Sequence, residues 1–322
     1  MSRLHLKPAV QPTMYFIGVS TAHSMIMRVF PDWASHLGLG SCRIHGIDLA
    51  LHDEVEHYRQ VVQFIKTDPL SLGALVTTHK IDLLRASRDM FDELDEFGSL
   101  MGEVSSLSKR DGRLVGAAKD PITSGLALCA FLPDGYWART GADAFIIGAG
   151  GSSIALSSFL LRAEHGTDRP RRLFVSNRSS GRLEEMRHIH SQLHISFPVE
   201  YLHTPTPQDN DAVLARLAPG SLVVNATGMG KDSPGSPVTG AVPFPKGSCV
   251  WDFNYRGELQ FLHLARDQGA TGRLCVQDGG LYFIYGWLSV IGDVFHREIP
   301  ARGPLFDELC AIAERQRRRK EG

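Results

Sequence analysis

The run Ala144-Phe145-Ile146-Ile147-Gly148-Ala149-Gly150-Gly151-Ser152-Ser153 constrains the fold of this chain more than any other segment. Its four apolar residues read as a buried strand and its glycines as a tight turn. Ile154-Ala155-Leu156-Ser157-Ser158-Phe159-Leu160-Leu161 reads as a helix packed back on that strand. A buried strand that turns directly into a helix predicts a parallel sheet with helices on its faces. Gly148 permits the turn and Gly150 lets backbone N–H groups approach a ligand; the positive end of the following helix favours an anion such as a pyrophosphate. Ser153 stands where a third glycine is usual, and a small residue still allows close packing. An isolated glycine turn would be explained equally well as a plain connection, but this strand and helix context favours a dinucleotide bound at residues Gly148, Ala149, Gly150, Gly151, Ser152 and Ser153.

Short β-rich runs alternate with amphipathic stretches along the rest of the chain, the pattern of βα units around mainly parallel sheets. In the first part strands are expected near 14–19, 43–48 and 74–77, and helices near 24–37, 54–66 and 80–97. Runs at 104–108 and 114–117 flank Asp111-Gly112, a hairpin signal. The second part reads as a Rossmann domain with strands near 144–147, 172–176, 199–203, 221–225 and 250–253. An apolar, aromatic helix over 281–295 is expected to return to the first part. The fold class is therefore α/β with two domains: residues 1–125 for substrate and catalysis, 126–278 for the dinucleotide, and carboxy-terminal helices over 279–322 packing on the first domain. The domain crossing is expected between 121 and 140, with a closed cleft between the domains.

With 34 Lys plus Arg against 35 Asp plus Glu in 322 residues, the net charge of −1 gives no general attraction to nucleic acid or an anionic membrane. A small molecule is the expected partner. The basic tail Arg315-Gln316-Arg317-Arg318-Arg319-Lys320 reads as a solvated helix end. No apolar run reaches the roughly 18 to 20 residues of a membrane span, and Met1 to Pro8 has no signal-peptide core. The cysteines Cys42, Cys129, Cys249, Cys275 and Cys310 are scattered and form no C-x-x-C pair, as expected of reduced thiols in the cytoplasm. His188-Ile189-His190 lacks a third ligand at suitable spacing, so no metal is expected.

Two polar residues stand just after expected strands: Lys80 in Val76-Thr77-Thr78-His79-Lys80 and Asp120 in Gly116-Ala117-Ala118-Lys119-Asp120. A lysine and an aspartate brought together beside a nicotinamide suit proton transfer during hydride transfer; taken singly, either is an ordinary surface charge. The strand ending Phe174-Val175-Ser176 runs into Asn177-Arg178-Ser179, where an NAD site usually offers an acidic residue to the ribose. Arg178 instead offers a cation for a 2′-phosphate, which favours NADP. Val223-Val224-Asn225-Ala226-Thr227-Gly228-Met229-Gly230 is a further strand entering a glycine-rich loop.

Over nearly its whole length the chain resembles the shikimate dehydrogenase family. The family's His-Ser-x-Ser-Pro segment is similar to His23-Ser24-Met25-Ile26-Met27, and its Asn-Val-Thr-x-Pro-x-Lys segment to Leu75-Val76-Thr77-Thr78-His79-Lys80. Its Asn-Thr-Asp, Asn-Arg-Thr, Asn-Ala-Thr, Asp-x-x-Tyr and Asp-Gly motifs resemble Ala118-Lys119-Asp120, Asn177-Arg178-Ser179, Asn225-Ala226-Thr227, Asp252-Phe253-Asn254-Tyr255 and Asp278-Gly279. The resemblance implies Lys80 and Asp120 as the catalytic pair and NADP as cofactor. It implies a nicotinamide end lined by Met229, Phe253, Tyr255 and Gly279, beside Thr227 as a further cofactor contact, and substrate contacts at Ser24, Thr77 and Ser105.

Several substrate positions depart from the family pattern. Ile26 replaces the second serine, Met27 the proline, and Leu75, Ser105 and Ala118 replace asparagines; the family's glutamine falls at about Gly286. Each missing partner of a buried substrate polar group weakens recognition by roughly 1 to 3 kcal/mol. The expected chemistry is reversible NADP(H)-dependent hydride transfer to a cyclic ketone, 3-dehydroshikimate or a less polar alicyclic relative, by a monomer or homodimer. Two alternatives stay open: a non-catalytic sensor that binds a dinucleotide and a metabolite, and an amino-acid-type or folate-type dehydrogenase on a similar plan.

Overall fold

A computed structural model describes residues 4–193, 197–231 and 233–319; Lys320 of the basic tail and the first three residues of the amino terminus lie outside these. The elements, in chain order, begin with β1 (Thr13–Gly18), α1 (Ile26–His36), β2 (Arg43–Asp48), α2 (Val55–Thr67), β3 (Ser71–Val76) and α3 (Lys80–Ser87). Next come β4 (Glu93–Leu94), α4 (Glu96–Met101), β5 (Ser106–Arg110) and β6 (Arg113–Ala117). The following stretch holds α5 (Asp120–Cys129), α6 (Tyr136–Thr140), β7 (Ala144–Ile147), α7 (Gly151–Leu160), β8 (Leu173–Asn177) and α8 (Ser180–Gln192). Then follow β9 (Val199–His203), α9 (Pro207–Leu214), β10 (Leu222–Asn225), β11 (Cys249–Asp252), α10 (Gln260–Gly272) and β12 (Cys275–Gln277), and finally α11 (Gly280–Val294) and α12 (Pro304–Arg318).

The chain divides into two compact units, Met1–Lys119 with Ile284–Gly322, and Asp120–Phe283. The first holds a mixed sheet in the order β2-β1-β3-β5-β6-β4. Strands β1, β2 and β3 run parallel, β5 runs against β3 and β6, and β4 lies parallel to β6. Tyr15, Ile17 and Val76 from the strands and Val61, Ile65 and Leu83 from α2 and α3 build its core. From Ile284 onward the carboxy-terminal helices belong here: the Trp33 indole N–H of α1 donates to the Leu309 carbonyl of α12 at 2.8 Å, and the Phe16 ring meets Trp287 of α11 edge-on at 5.0 Å. The return of these helices follows from the sequence, since an apolar α11 has to be covered.

The second unit is an all-parallel sheet in the order β12-β11-β10-β7-β8-β9. Its central strands are apolar throughout, with Phe145, Phe174, Val223 and Val250 at 0% exposure, as a strand covered on both faces requires. The chain order reverses between β7 and β10, so the switch point lies beside the glycine turn.

The helix expected over 80–97 is broken. After α3 and a short 3₁₀ turn, Asp92 N–H donates to the Leu114 carbonyl at 2.9 Å and Asp95 N–H to that of Gly116 at 3.0 Å, which draws β4 onto β6. Asp95 then caps α4, accepting the Gly98 N–H at 2.7 Å. The stretch expected to hold the domain crossing opens with α5, whose Asp120-Pro121 start carries the acid and early proline that favour a helix amino terminus.

Candidate active site

In the first unit the candidate residues gather where β1, β2 and β3 end and β5 begins. Thr77 is fixed by two contacts to the Ile17 carbonyl, from its N–H at 3.0 Å and its hydroxyl at 3.2 Å. His79, 1% exposed, shares a hydrogen bond of 3.1 Å between Nδ1 and the Tyr58 hydroxyl, and burial pushes its pKa down, so a neutral imidazole precedes the half-buried Lys80. The Lys80 carbonyl, in the first turn of α3, accepts the Val104 N–H at 3.3 Å, which ties the helix start to the chain entering β5. Ser24 is half-buried and follows Thr21, whose hydroxyl donates to Asp48 at 2.6 Å.

The approach to Asp120 is pinned residue by residue. Asp95 Oδ1 accepts the Ala118 N–H at 3.0 Å, Ser105 Oγ accepts the Lys119 N–H at 2.8 Å, and the Lys119 ammonium pairs with Asp293 at 2.8 Å. Ser105 is 3% exposed and its hydroxyl also faces the Ala117 carbonyl at 3.4 Å, so that hydroxyl is engaged by backbone groups. Ile26 and Ala118 at 0% and Leu75 at 6% exposure are packed into the interior, leaving apolar side chains where the family pattern has polar ones. Asp120 itself opens the second unit at the first position of α5 and is 8% exposed.

In the second unit the cofactor candidates occupy neighbouring strand ends along one edge. Gly148 has φ +113°, and a Cβ there would lie 2.8 Å from the Ala226 carbonyl oxygen and 3.4 Å from Ser153 Oγ, so the turn, the β10 loop and α7 meet too closely for a side chain. Around Gly150, at the start of α7, a Cβ would meet nothing within 4 Å, which leaves open space before the helix amino terminus. That cradle fits a dinucleotide pyrophosphate: open backbone, the positive end of a ten-residue helix, and a switch point. Ser153, at 0% exposure, packs inward, while Ser152 is half-buried. At the end of β8, Asn177 donates from Nδ2 to the Ser179 carbonyl at 3.0 Å, shaping the loop that exposes Arg178. On the other side of the switch point Thr227 and Met229 follow β10, Phe253 and Tyr255 follow β11, and Gly279 follows β12. Gly279 is obligatory, because a Cβ would lie 2.0 Å from the Phe253 carbonyl oxygen. The rings of Phe253 and Tyr282 lie 4.9 Å apart, and those of Tyr255 and Phe283 lie 5.0 Å apart.

Sequence reasoning quoted Asn225, Asp252 and Asn254 within motifs but gave them no role, and they organise this edge, buried at 0%, 0% and 6% exposure. Their signal was present, since a polar residue at the end of an apolar strand has to find partners. Among the described residues no group of three or more His, Cys, Asp or Glu is placed to hold a metal ion, and no helix is long and apolar enough to cross a membrane.

Fold and site together define an α/β protein with a Rossmann unit whose glycine turn lies at the switch point. No protein-family model matches the chain. It is 29% identical over 227 residues, 70% of its length and 73% of the relative's, to shikimate dehydrogenase (NADP(+)) of Streptococcus gordonii. Its fold superposes on a shikimate dehydrogenase from Aquifex aeolicus with a TM-score of 0.72, at 19% identity, covering 97% of this chain and 100% of the other. A quinate dehydrogenase from Corynebacterium glutamicum, solved in complex with NAD, gives a TM-score of 0.70 at 19% identity, covering 94% and 98%. The chain is shikimate dehydrogenase-like in sequence and in fold.

Proposed function

We propose that the chain is an NADP-dependent alcohol dehydrogenase of the shikimate dehydrogenase type, interconverting a cyclic ketone and its alcohol. The observation that carries this reading is the open glycine turn at the switch point of an all-parallel sheet, in a chain whose sequence relatives are named for that chemistry. Gly148 to Ser153 hold the pyrophosphate, Asn177, Arg178 and Ser179 the adenosine end with its 2′-phosphate, and Thr227, Met229, Phe253, Tyr255 and Gly279 the nicotinamide end. Bound there, the cofactor supplies or accepts the hydride. In the reduction, Lys80 delivers a proton to the carbonyl oxygen as its carbon gains hydride, and Asp120 is the second residue assigned to proton handling. Proton transfer of this kind contributes about 10² to 10⁴ in rate. None of the five cysteines is in a disulfide, not even the register partners Cys249 of β11 and Cys275 of β12, and this suits a reducing compartment such as the cytoplasm.

Ser24 and Thr77 are the retained substrate contacts, and Ser105 serves the substrate indirectly by holding the strand ends on either side of it. The inward packing of Ile26, Leu75 and Ala118 supports a substrate that carries fewer hydrogen-bonding groups than shikimate. The test is reduction of NADP, then of NAD, by the purified protein with shikimate, quinate and a panel of cyclic hydroxy acids, polyols and hydroxy aromatics. Turnover of a less polar member with NADP in preference to shikimate is expected. NADPH binding without turnover anywhere in the panel would contradict the proposal and make the chain a dinucleotide-dependent sensor.

A further inference from the structure

Three loops leave the carboxyl edge of the second sheet side by side, after β10, β11 and β12. Buried polar side chains are costly unless hydrogen-bonded, and here three of them bond to one another and to the loop backbones. Asn225 Oδ1 accepts the Thr227 N–H at 3.0 Å and the Thr227 hydroxyl at 2.6 Å. Its Nδ2 donates to Asp252 Oδ1 at 3.2 Å and to the Met229 carbonyl at 3.3 Å. Asp252 Oδ1 also accepts the Asn254 N–H at 2.9 Å, while Asn254 Nδ2 donates to the Met229 carbonyl at 3.1 Å. The Asn254 carbonyl accepts the Gly279 N–H at 3.1 Å, so the third loop joins the same knot.

We infer that Asp252, acting through Asn225 and Asn254, is a positioning residue for the nicotinamide half of the bound dinucleotide; this rests on the cofactor reading above. The residues assigned to that half either take part in the knot or flank a residue that does: Thr227, Met229 and Gly279 are bonded into it, and Phe253 and Tyr255 lie on either side of Asn254. Among the described residues no hydrogen bond joins the β8 loop that carries Arg178 to this knot: Asn177 bonds to Ser179, and the Arg178 carbonyl to His203 of β9. The knot thus belongs to one half of the site. Asp252 Oδ2 is buried with no hydrogen-bond partner among the described residues, and burial holds the carboxyl up at about 6. Perturbed buried carboxyls of this kind concentrate at functional sites.

The two halves can be read separately by titrating the full chain with NADPH and with adenosine 2′,5′-bisphosphate, which lacks the nicotinamide, using calorimetry well below the unfolding temperature. Asp252→Ala is expected to weaken NADPH by about tenfold or more and to leave the bisphosphate within about twofold. Asp252→Asn keeps the volume and provides the same comparison, with a smaller loss, if the alanine variant fails to fold. Asp143→Asn, at the opposite edge of the same sheet, is expected to lower stability and keep both affinities. Unchanged NADPH affinity in both folded Asp252 variants, or parallel loss of both ligands, would overturn the positioning role while leaving the cofactor reading intact. A wild-type chain that binds neither ligand would overturn both.

Discussion

Asp143 has no exposed side-chain surface and meets Arg171 at 3.0 Å and Arg172 at 2.9 Å, with the Ala218 N–H donating to it at 3.1 Å. Burial alone would raise its pKa, but the two guanidiniums and the backbone donor outweigh burial and hold the carboxyl down at about 2. A depressed carboxyl contributes stability above its unfolded pKa of about 4, and that contribution is lost as pH falls toward 2. Asp143→Ala should cost about 2 kcal/mol, since the partly exposed arginines can rehydrate. The variant's acid unfolding between pH 4 and 2 should be shallower than that of the wild type. Asp252 has the opposite sign. Its carboxyl is raised to about 6, so the stability it favours is complete below about pH 4 and lost as pH rises through 6. The melting temperature of Asp252→Asn relative to wild type should therefore rise between pH 4 and 7 when followed by circular dichroism. The placement of Lys80 and Asp120 just after strands was legible, because each stands within a recognisable motif. The use made of Ser105 was not, because its partners are backbone groups at 117 and 119 that only the folded hairpin brings to it.

Among the elements, the glycine-bounded ones were the easiest to read, and the structure shows why. β7 and α7 need no distant partner to be recognised: four buried apolar residues, a turn with φ +113° at Gly148, and an apolar helix are all local features. β4 and β12 escaped notice because they are two and three residues long and exist through pairing with β6 and β11. The break after α3 has the same origin, since capture of Asp92 and Asp95 by β6 overrides a pattern that reads locally as helix. α1 shows the reverse, with Pro31 inside the helix tolerated while Val29, Phe30 and Trp33 are fully buried around it. At the junction of β12 and α11, Gly279 is the fixed point. Gly279→Ala would push the new Cβ into the Phe253 carbonyl, and overpacking of about 1 to 3 kcal/mol should lower the melting temperature by roughly 5 °C. An unchanged melting temperature by calorimetry would mean that the β11 loop yields freely.

At the level of the whole molecule, a near-neutral chain with two sheets presents two sets of strand ends, and each carries its own set of proposed residues. Of the proposed residues, Lys80, Ser24 and Thr77 lie in the first unit, and Asp120, at the head of α5, lies in the second together with the glycine turn. Division of labour of this kind predicts that binding and catalysis can be separated by mutation. The decisive measurement is turnover and NADPH affinity of Lys80→Ala beside the wild type, with whichever cyclic alcohol the wild type oxidises. Turnover should fall by about 10² or more while the NADPH dissociation constant stays within about twofold. A Lys80→Ala protein that turns over substrate as fast as the wild type would contradict the account.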